Sequence, residues 1–559
     1  MLKKASILSI LLLLTLNTIW SQTTYLPLNT EDYHVLDRLE TRSGRLSDSL
    51  FNSTRPQMRS RAVDFLEAQD STNTGLSKTD HYNIDRMINE SGEWAPGENG
   101  EKDAKHPWFH TFYKKQFDLF QVHTNNFFLV VNPVISAELY SERGNKAGTL
   151  YWSGRGFEAR GWIAKRIGFY TYVTDNQERD VSFYHDWVFK HNAVPGADYY
   201  IGKGGTHYDY LLAAGYFDIA IIKDHLNATF GYDKNFIGDG INSMFLSDFS
   251  AGTPFLRLIT RIWKLNYENL YTELTTQHGT ASDQLMPHKY ATMHHLSFNA
   301  TRWLNLGVFE SVVFGRQNQY ELRYLNPVIF IASLEQSVGS PDKKHIGIDF
   351  KSIAAKHLQF YGQFLLDEFK SSEFFSNRGW WGNKWAAQLG GKYFDAFSVR
   401  NLDLQLELNV VRPYTYTHSD TVANYTNYNQ PLANPLGADF IQVIGIAKYQ
   451  PSNKLYLTVK GMYYVQGADT GNADYGSNIF ASYTNRSMEY GVKLINGVKT
   501  NCALLNLEMS YELRPNFFID LGATHRRYVY NDNQFPGATT TYVYGGFRLN
   551  ISKRNIDFY

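Results

Sequence analysis

The chain has 559 residues, enough for one large domain or several ordinary ones. Its formal net charge is +0, which removes the electrostatic case for nucleic acid or for attachment to a charged membrane surface. A single cysteine, Cys502, excludes an internal disulfide framework and a zinc-ribbon site. The 16% aromatic content, with 39 Tyr and 37 Phe, is rich in strand formers and in rings that settle at membrane interfaces.

The first element is an address. Lys3 and Lys4 precede an apolar run over residues 5–16, and Gln22 follows Ile19, Trp20 and Ser21. This predicts a secretory signal peptide over residues 1–21, cut just before Gln22. Beyond it, no window approaches the ~20 apolar residues that a transmembrane helix needs. An exported chain of this kind is either soluble outside the inner membrane or a β-barrel in the outer membrane.

Residues 22–95 are expected to form a small helical bundle. Asn29, Thr30, Glu31 and Asp32 open one helix, with Tyr33, Leu36 and Leu39 following at spacing three. Pro56 is expected in the first turn of a second, striped by Met58, Ala62, Phe65 and Leu66. Ser77 and Asp80 have the spacing of a capping box for a third, with Ile84, Met87 and Ile88 as its apolar face. A Gly- and charge-rich linker follows over residues 96–106.

From residue 107 to 559 strands dominate. The clearest is NLDLQLELNVV, residues 401–411. Leu402, Leu404, Leu406, Leu408 and Val410 share one parity, and Asp403, Gln405, Glu407 and Asn409 share the other. The leucines face either a protein core or lipid. At about 25 residues per strand and loop, the segment holds on the order of 16–18 antiparallel strands, within the range of outer-membrane barrels. Residues 358–367 alternate too, with Leu365 as an exception. No later linker divides the segment, and no repeat period supports a propeller. The chain ends Ile556-Asp557-Phe558-Tyr559, and a terminal aromatic on the last strand resembles a barrel insertion signal. The expected fold is therefore an all-β antiparallel transmembrane barrel with an N-terminal helical bundle, in the outer membrane with the helices in the periplasm.

Four stretches interrupt the strands: residues 180–206, 235–254, 371–384 and 414–437. Tyr and Trp beside Asn suit carbohydrate, because rings stack on sugar C–H faces and amides bond hydroxyls. The candidate carbohydrate-binding residues are Trp380, Trp381, Tyr414, Tyr416 and Asn427. The same residue types are common in barrel loops and girdles.

No catalytic or metal-ligating set and no cofactor motif emerges. Gly202-Lys203-Gly204-Gly205 lacks the spacing of a phosphate-binding loop. His106 and His110 have Pro107 between them and no intervening glutamate. His295, Ser297 and Asn299 share one strand face, an arrangement a barrel phospholipase uses, but Leu296, Phe298 and Ala300 hold the lipid-type parity. The polar three should therefore face the lumen. Asp239, Asp248 and His418 lie in loops, and no pattern brings them together for a rim protease. Arg257, Arg261, Asp403 and Glu407 are expected to pair across the lumen and fill it.

Several longer motifs resemble one family. NFIGDGINSMFLSDFSAGTPFLRLITRIWKLNY (235–267), YLNPV (324–328), LEQSVGSPD (334–342), FYGQFLLDEF (360–369), GWWGNK (379–384) and YNQPLANPLGADF (428–440) look like the pattern of Wzi-like capsule-assembly barrels of Bacteroidetes, a group that includes RemB-type gliding motility proteins. LPLNTEDYHVLDRLE and TRPQMRSRAVDFL are similar to its helical segment, so the likeness spans nearly the whole mature chain. Gly240-Ile241-Asn242-Ser243 departs from it, where a basic or aromatic residue is expected. The resemblance implies a barrel of about eighteen strands with periplasmic helices, and a non-enzymatic role in attaching surface polysaccharide or in gliding motility. Its implied partners are outer-membrane lipid, surface polysaccharide and motility or secretion machinery. No catalytic residue carries over, and the sugar contacts of the family map onto no motif here. A diffusion porin and an outer-membrane hydrolase are the alternatives.

Overall fold

The computed structural model describes residues 23–556 apart from 96–99, 101, 105–111, 147, 204, 278–284, 317–318, 329–338, 340–341, 472 and 533. The expected signal peptide, much of the expected linker, His106, His110, Phe558 and Tyr559 lie outside the described residues.

Eighteen antiparallel strands close into one barrel. The wall begins with β1 (Phe127–Glu142), β2 (Leu150–Ile163), β3 (Ile167–Arg179), β4 (His207–Ile222) and β5 (Leu226–Asp233). It continues through β6 (Thr253–Ile262), β7 (Leu265–Thr275), β8 (His288–Asn299), β9 (Leu304–Phe314), β10 (Lys343–Ala354), β11 (Leu358–Glu368), β12 (Lys384–Tyr393) and β13 (Leu402–Val411). It ends with β14 (Phe440–Ser452), β15 (Leu455–Ala468), β16 (Val498–Arg514), β17 (Phe517–Tyr530) and β18 (Ala538–Leu549). Pairs such as Tyr544↔Tyr140 and Leu549↔Ile135 join β18 to β1 and leave no open edge.

The wall is apolar outside and polar inside. On β13, Leu406 is 61% exposed and Leu408 40%, whereas Glu407 and Asn409 are fully buried. Its neighbours repeat this: Ile348, Leu505, Leu507, Ile519 and Leu521 point outward, while Asn506, Asp520 and Gln442 are buried. A soluble sandwich would show the reverse; a lipid-facing barrel requires it. Trp263 and Trp303 sit exposed on short turns, as interfacial anchors do. No helix among the described residues is long and apolar enough to cross a membrane; strands make the crossing.

The two rims differ. One carries short turns, such as residues 164–166, 223–225, 263–264 and 515–516. The other carries the long segments 180–206, 234–252, 369–383, 412–439 and 469–497. The first of these contains a helix, α4 (Ser182–His191), in a stretch expected to be irregular.

Three N-terminal helices plug the short-turn end. They are α1 (Asp32–Ser43), α2 (Arg59–Thr72) and α3 (Lys78–Glu90). Leu36, Leu39, Phe65, Leu66, Ile84 and Met87 form their shared core. The Ser77–Asp80 capping box is present in both directions, at 3.0 and 2.8 Å. Pro56 precedes α2 instead of lying in its first turn, because Thr54 and Arg55 are extended and pair with Ile237 and Phe236. Buried charges fasten the bundle to the wall. Arg38 reaches Asp80 at 2.7 Å, Asp395 at 2.7 Å and Asp403 at 2.6 Å. Lys392 reaches Asp37, and Lys351 reaches Glu40, each at 2.6 Å.

A second plug descends from the opposite rim. Residues 234–252 enter the lumen and meet the N-terminal segment, where Gly238 N–H donates to Ser53 O at 2.7 Å. A Cβ on Gly240 would lie 2.8 Å from the backbone carbonyl of Asn242, with Glu407 Oε2 at 2.5 Å and Gln388 Oε1 at 2.7 Å, so a side chain there would push the segment off the wall.

β18 ends at Leu549, and the terminal aromatics expected on the last strand lie outside the described residues. Residues 550–556 turn back inside the barrel. Ser552 Oγ donates to Leu28 O at 2.9 Å, and Ile556 is buried among Tyr140, Trp152 and Phe183.

Candidate functional site

Of the charges expected to pair across the lumen and fill it, Asp403 pairs with Arg38, whereas Glu407, Arg257 and Arg261 fill it through hydrogen bonds to neutral groups. Glu407 accepts hydrogen bonds from Ile241 N at 2.6 Å, Asn242 N at 3.2 Å, Tyr361 Oη at 2.9 Å and Asn409 Nδ2 at 2.9 Å. Arg257 donates to Asn235 and lies 4.4 Å over the Tyr25 ring, and Arg261 donates to Asn266 and Ser49 O. Against β7–β13 the plug has an apolar heart: Met244, Phe245 and Leu246 pack with Leu270, Phe309, Leu365 and Tyr425. The Phe245 and Phe309 rings stack at 4.5 Å.

This packing absorbs the residues considered for catalysis. His295, Ser297 and Asn299 face the lumen and are buried. His295 Nε2 is paired with Asp349 at 2.9 Å, whereas Ser297 Oγ donates to Asn305 at 2.9 Å. Histidine and serine therefore have separate partners. Asp239 lies 3.5 Å from Lys351, and His418 Nδ1 accepts from Asp420 N–H at 3.2 Å; the two belong to different contacts.

The residues considered for carbohydrate contact divide. Tyr414 is fully buried, its hydroxyl donating to Asp474 O at 2.8 Å. Tyr416 is buried on the Tyr425 ring and donates to Met244 O at 2.9 Å. Asn427 is buried, donating to Ala251 O at 3.1 Å and accepting from Thr275 N at 3.0 Å. These three hold segment 412–439 in the mouth of the barrel. Trp380 and Trp381 lie at the long-loop rim, Trp380 half-buried and Trp381 7% exposed.

Around these tryptophans two loops are stitched together. Gly491 N–H donates to Arg378 O and Val492 N–H to Gly379 O, each at 2.9 Å. Gly379 has φ 65°, and a Cβ there would meet Val492 O at 2.9 Å. Both indole N–H groups converge on Glu489 Oε1, at 3.1 Å from Trp380 and 3.0 Å from Trp381. Slight burial acts upward on Glu489, but hydrogen bonds from Arg486, Trp380 and Trp381 hold its carboxyl below the usual range. Arg486 lies 4.3 Å over Trp381, Lys384 lies 4.4 Å over Tyr483, and Arg378 lies 4.6 Å over the exposed Tyr490 ring. The result is a stitched rim cluster in which Trp380 and Tyr490 keep exposed ring area, while Arg486 covers the buried Trp381. Such a surface stacks on sugar rings and bonds their hydroxyls. Tyr490, Arg378, Arg486 and Glu489 were not legible as site residues, because Trp380 and Glu489 are 109 positions apart.

No protein-family model matches the chain, and no curated protein sequence matches it. Solved structures do. Wzi of Escherichia coli, an outer-membrane protein involved in group 1 capsule assembly and described as a carbohydrate-binding β-barrel, aligns with a TM-score of 0.56 at 12% identity, covering 95% of this chain and 100% of that one. OprD of Pseudomonas aeruginosa aligns with a TM-score of 0.41 at 10% identity over 75% of this chain and 95% of its own. The likeness to Wzi is one of fold: a closed outer-membrane-type barrel with helices at its N-terminus.

Proposed function

We propose that this chain is a non-enzymatic outer-membrane barrel that holds surface polysaccharide through the ring area of Trp380 and Tyr490, with the buried Trp381 as their support. The observation that carries the reading is that surface itself: indoles pinned by Glu489 beside an exposed Tyr490, at the rim of a barrel whose lumen is packed from both ends. The short-turn rim faces the periplasm, as short turns do in such barrels, and α1–α3 lie there. The fold likeness to a carbohydrate-binding capsule protein supports this assignment. In it, the barrel is an anchor whose wall is set in outer-membrane lipid.

A RemB-type role in gliding motility, with motility or secretion machinery as partners, is the second reading. It rests on the motif resemblance over residues 235–267 and 428–440. One experiment separates the two. The gene is deleted and the cells are scored for capsule retention, glycan binding and spreading. Loss of capsule with normal spreading is the expected result. Loss of spreading with normal capsule and glycan binding would replace the first reading by the second.

A further inference from the structure

The packed lumen is not uniformly filled. A cavity of about 440 Å³ runs along the inner face of β2–β5 and β14–β18. Asn29 and Asn516 line it at the short-turn rim, and Pro195 and Asp198 line it at the long-loop rim. Its lining therefore draws on residues near both rims. Tyr172, Tyr232, Lys460 and Glu158 also contribute to it, giving walls that wet readily.

Residues 551–555 form part of that lining. They are held by ion pairs with the wall. Arg554 Nη2 lies 2.6 Å from Glu178 Oε2 and 2.6 Å from Asp180 Oδ2, two carboxylates with fully buried side chains. Its guanidinium also lies 4.7 Å over Tyr184 and 5.5 Å over Trp152. Lys553 is paired with Glu508. Asn550 Nδ2 donates to Pro133 O at 2.9 Å, fixing the point where the segment leaves β18. Against β7–β13 the lumen is filled by the apolar side chains of the plug; here a single length of chain fills it, held by these ion pairs and by the buried Ile556.

We propose that the cavity is a latent passage for small hydrophilic solutes, closed by segment 550–556 with Arg554 as its latch. The passage is a second activity, independent of glycan binding at the rim. Displacing the segment removes one wall of the cavity and leaves a water-filled path beside an intact plug. Arg554 is one charge meeting two, so reversing it turns two attractions into two repulsions, against a remaining hold of Lys553 on Glu508 and of the buried Ile556.

Full-length protein is placed in planar lipid bilayers in potassium chloride, and single-channel conductance is recorded. Only barrels with folded gel mobility are compared. The native chain is expected to be closed for most of the record. Arg554→Glu should raise the open fraction at least about tenfold, and Arg554→Lys, which keeps the charge, should remain closed. If Arg554→Glu does not fold, the paired change Glu178→Gln with Asp180→Asn releases the same latch from the wall side and should open equally. Folded latch-release variants as silent as the native chain would overturn the proposal. So would a lysine variant as open as the glutamate one, or a native chain already fully open.

Discussion

The two sides of the lumen fill space by different means. Against β7–β13, segment 234–252 lays Met244, Phe245 and Leu246 onto an apolar wall and satisfies its backbone on Glu407 and Gln363. Against β2–β5, the space is shared by a cavity of about 440 Å³ and by residues 550–556, held by ion pairs and the buried Ile556. Apolar interdigitation fixes a unique arrangement at native density. A charged latch holds one arrangement while leaving room for another. The first side makes the barrel a rigid post. The second leaves space for the chain to move.

The largest expected effect sharpens that contrast at the short-turn end. Arg38→Ala removes the cation shared by Asp80, Asp395 and Asp403, leaving Asp395 to Arg42 and Asp403 to His34, and should cost about 3–5 kcal/mol. Denaturant unfolding and protease cleavage within residues 32–90 would register it. Cleavage unchanged from the native chain would mean that the bundle docks by its apolar contacts alone.

Next is the outer face. Leu406→Arg places a charge on the lipid side of β13, between Gly391 and Gly445, and should cost about 2–4 kcal/mol if the residue sits near the bilayer midplane. Normal insertion of this variant would contradict the orientation of the whole wall. On the inner face one residue away, Glu407→Ala removes the acceptor for two backbone and two side-chain donors, and should cost about 1–3 kcal/mol. Its signature should differ: the barrel inserts, but segment 234–252 becomes accessible to protease.

A smaller effect follows pH. Burial acts upward on Asp37 and Asp80, but Lys392 and Lys351 beside the first and Arg38 beside the second hold both below the usual carboxylate range. A depressed folded pKa gives stability that is present above the unfolded value, about 3.9, and is lost as pH falls below it. Protease accessibility of α1 and α3 should therefore rise as pH falls below about 4. A rise on the alkaline side instead would contradict the assignment of these pairs.

Much of the wall was legible because lipid outside and charge inside force a period of two. Residues 401–411 are the clearest case, and the structure orients every one of their central residues as that period requires. Even the exception in the alternation has a cause. Leu365 breaks the pattern on β11 because it faces the apolar plug, not a polar lumen. The capping box of α3 was legible because it is local. What was hidden depends on distant partners. Nothing local in residues 234–252 says that Gly240 must slip beside Glu407, or that Tyr416 will close over Met244. Tyr414, Tyr416 and Asn427 look like exposed loop residues until the segments that bury them are in place. The inward return of residues 550–556 was masked by the terminal aromatics, which pointed to a strand.

The central claim is that the rim surface binds glycan. Its most direct test is calorimetric titration of the full-length protein with surface polysaccharide purified from the cells that make it, beside the double variant Trp380→Ala with Tyr490→Ala. The account predicts saturable binding to the native chain, weakened about tenfold in the variant, the equivalent of about 1.4 kcal/mol for two lost ring faces. No saturable binding, or binding that the double variant leaves unchanged, would contradict it.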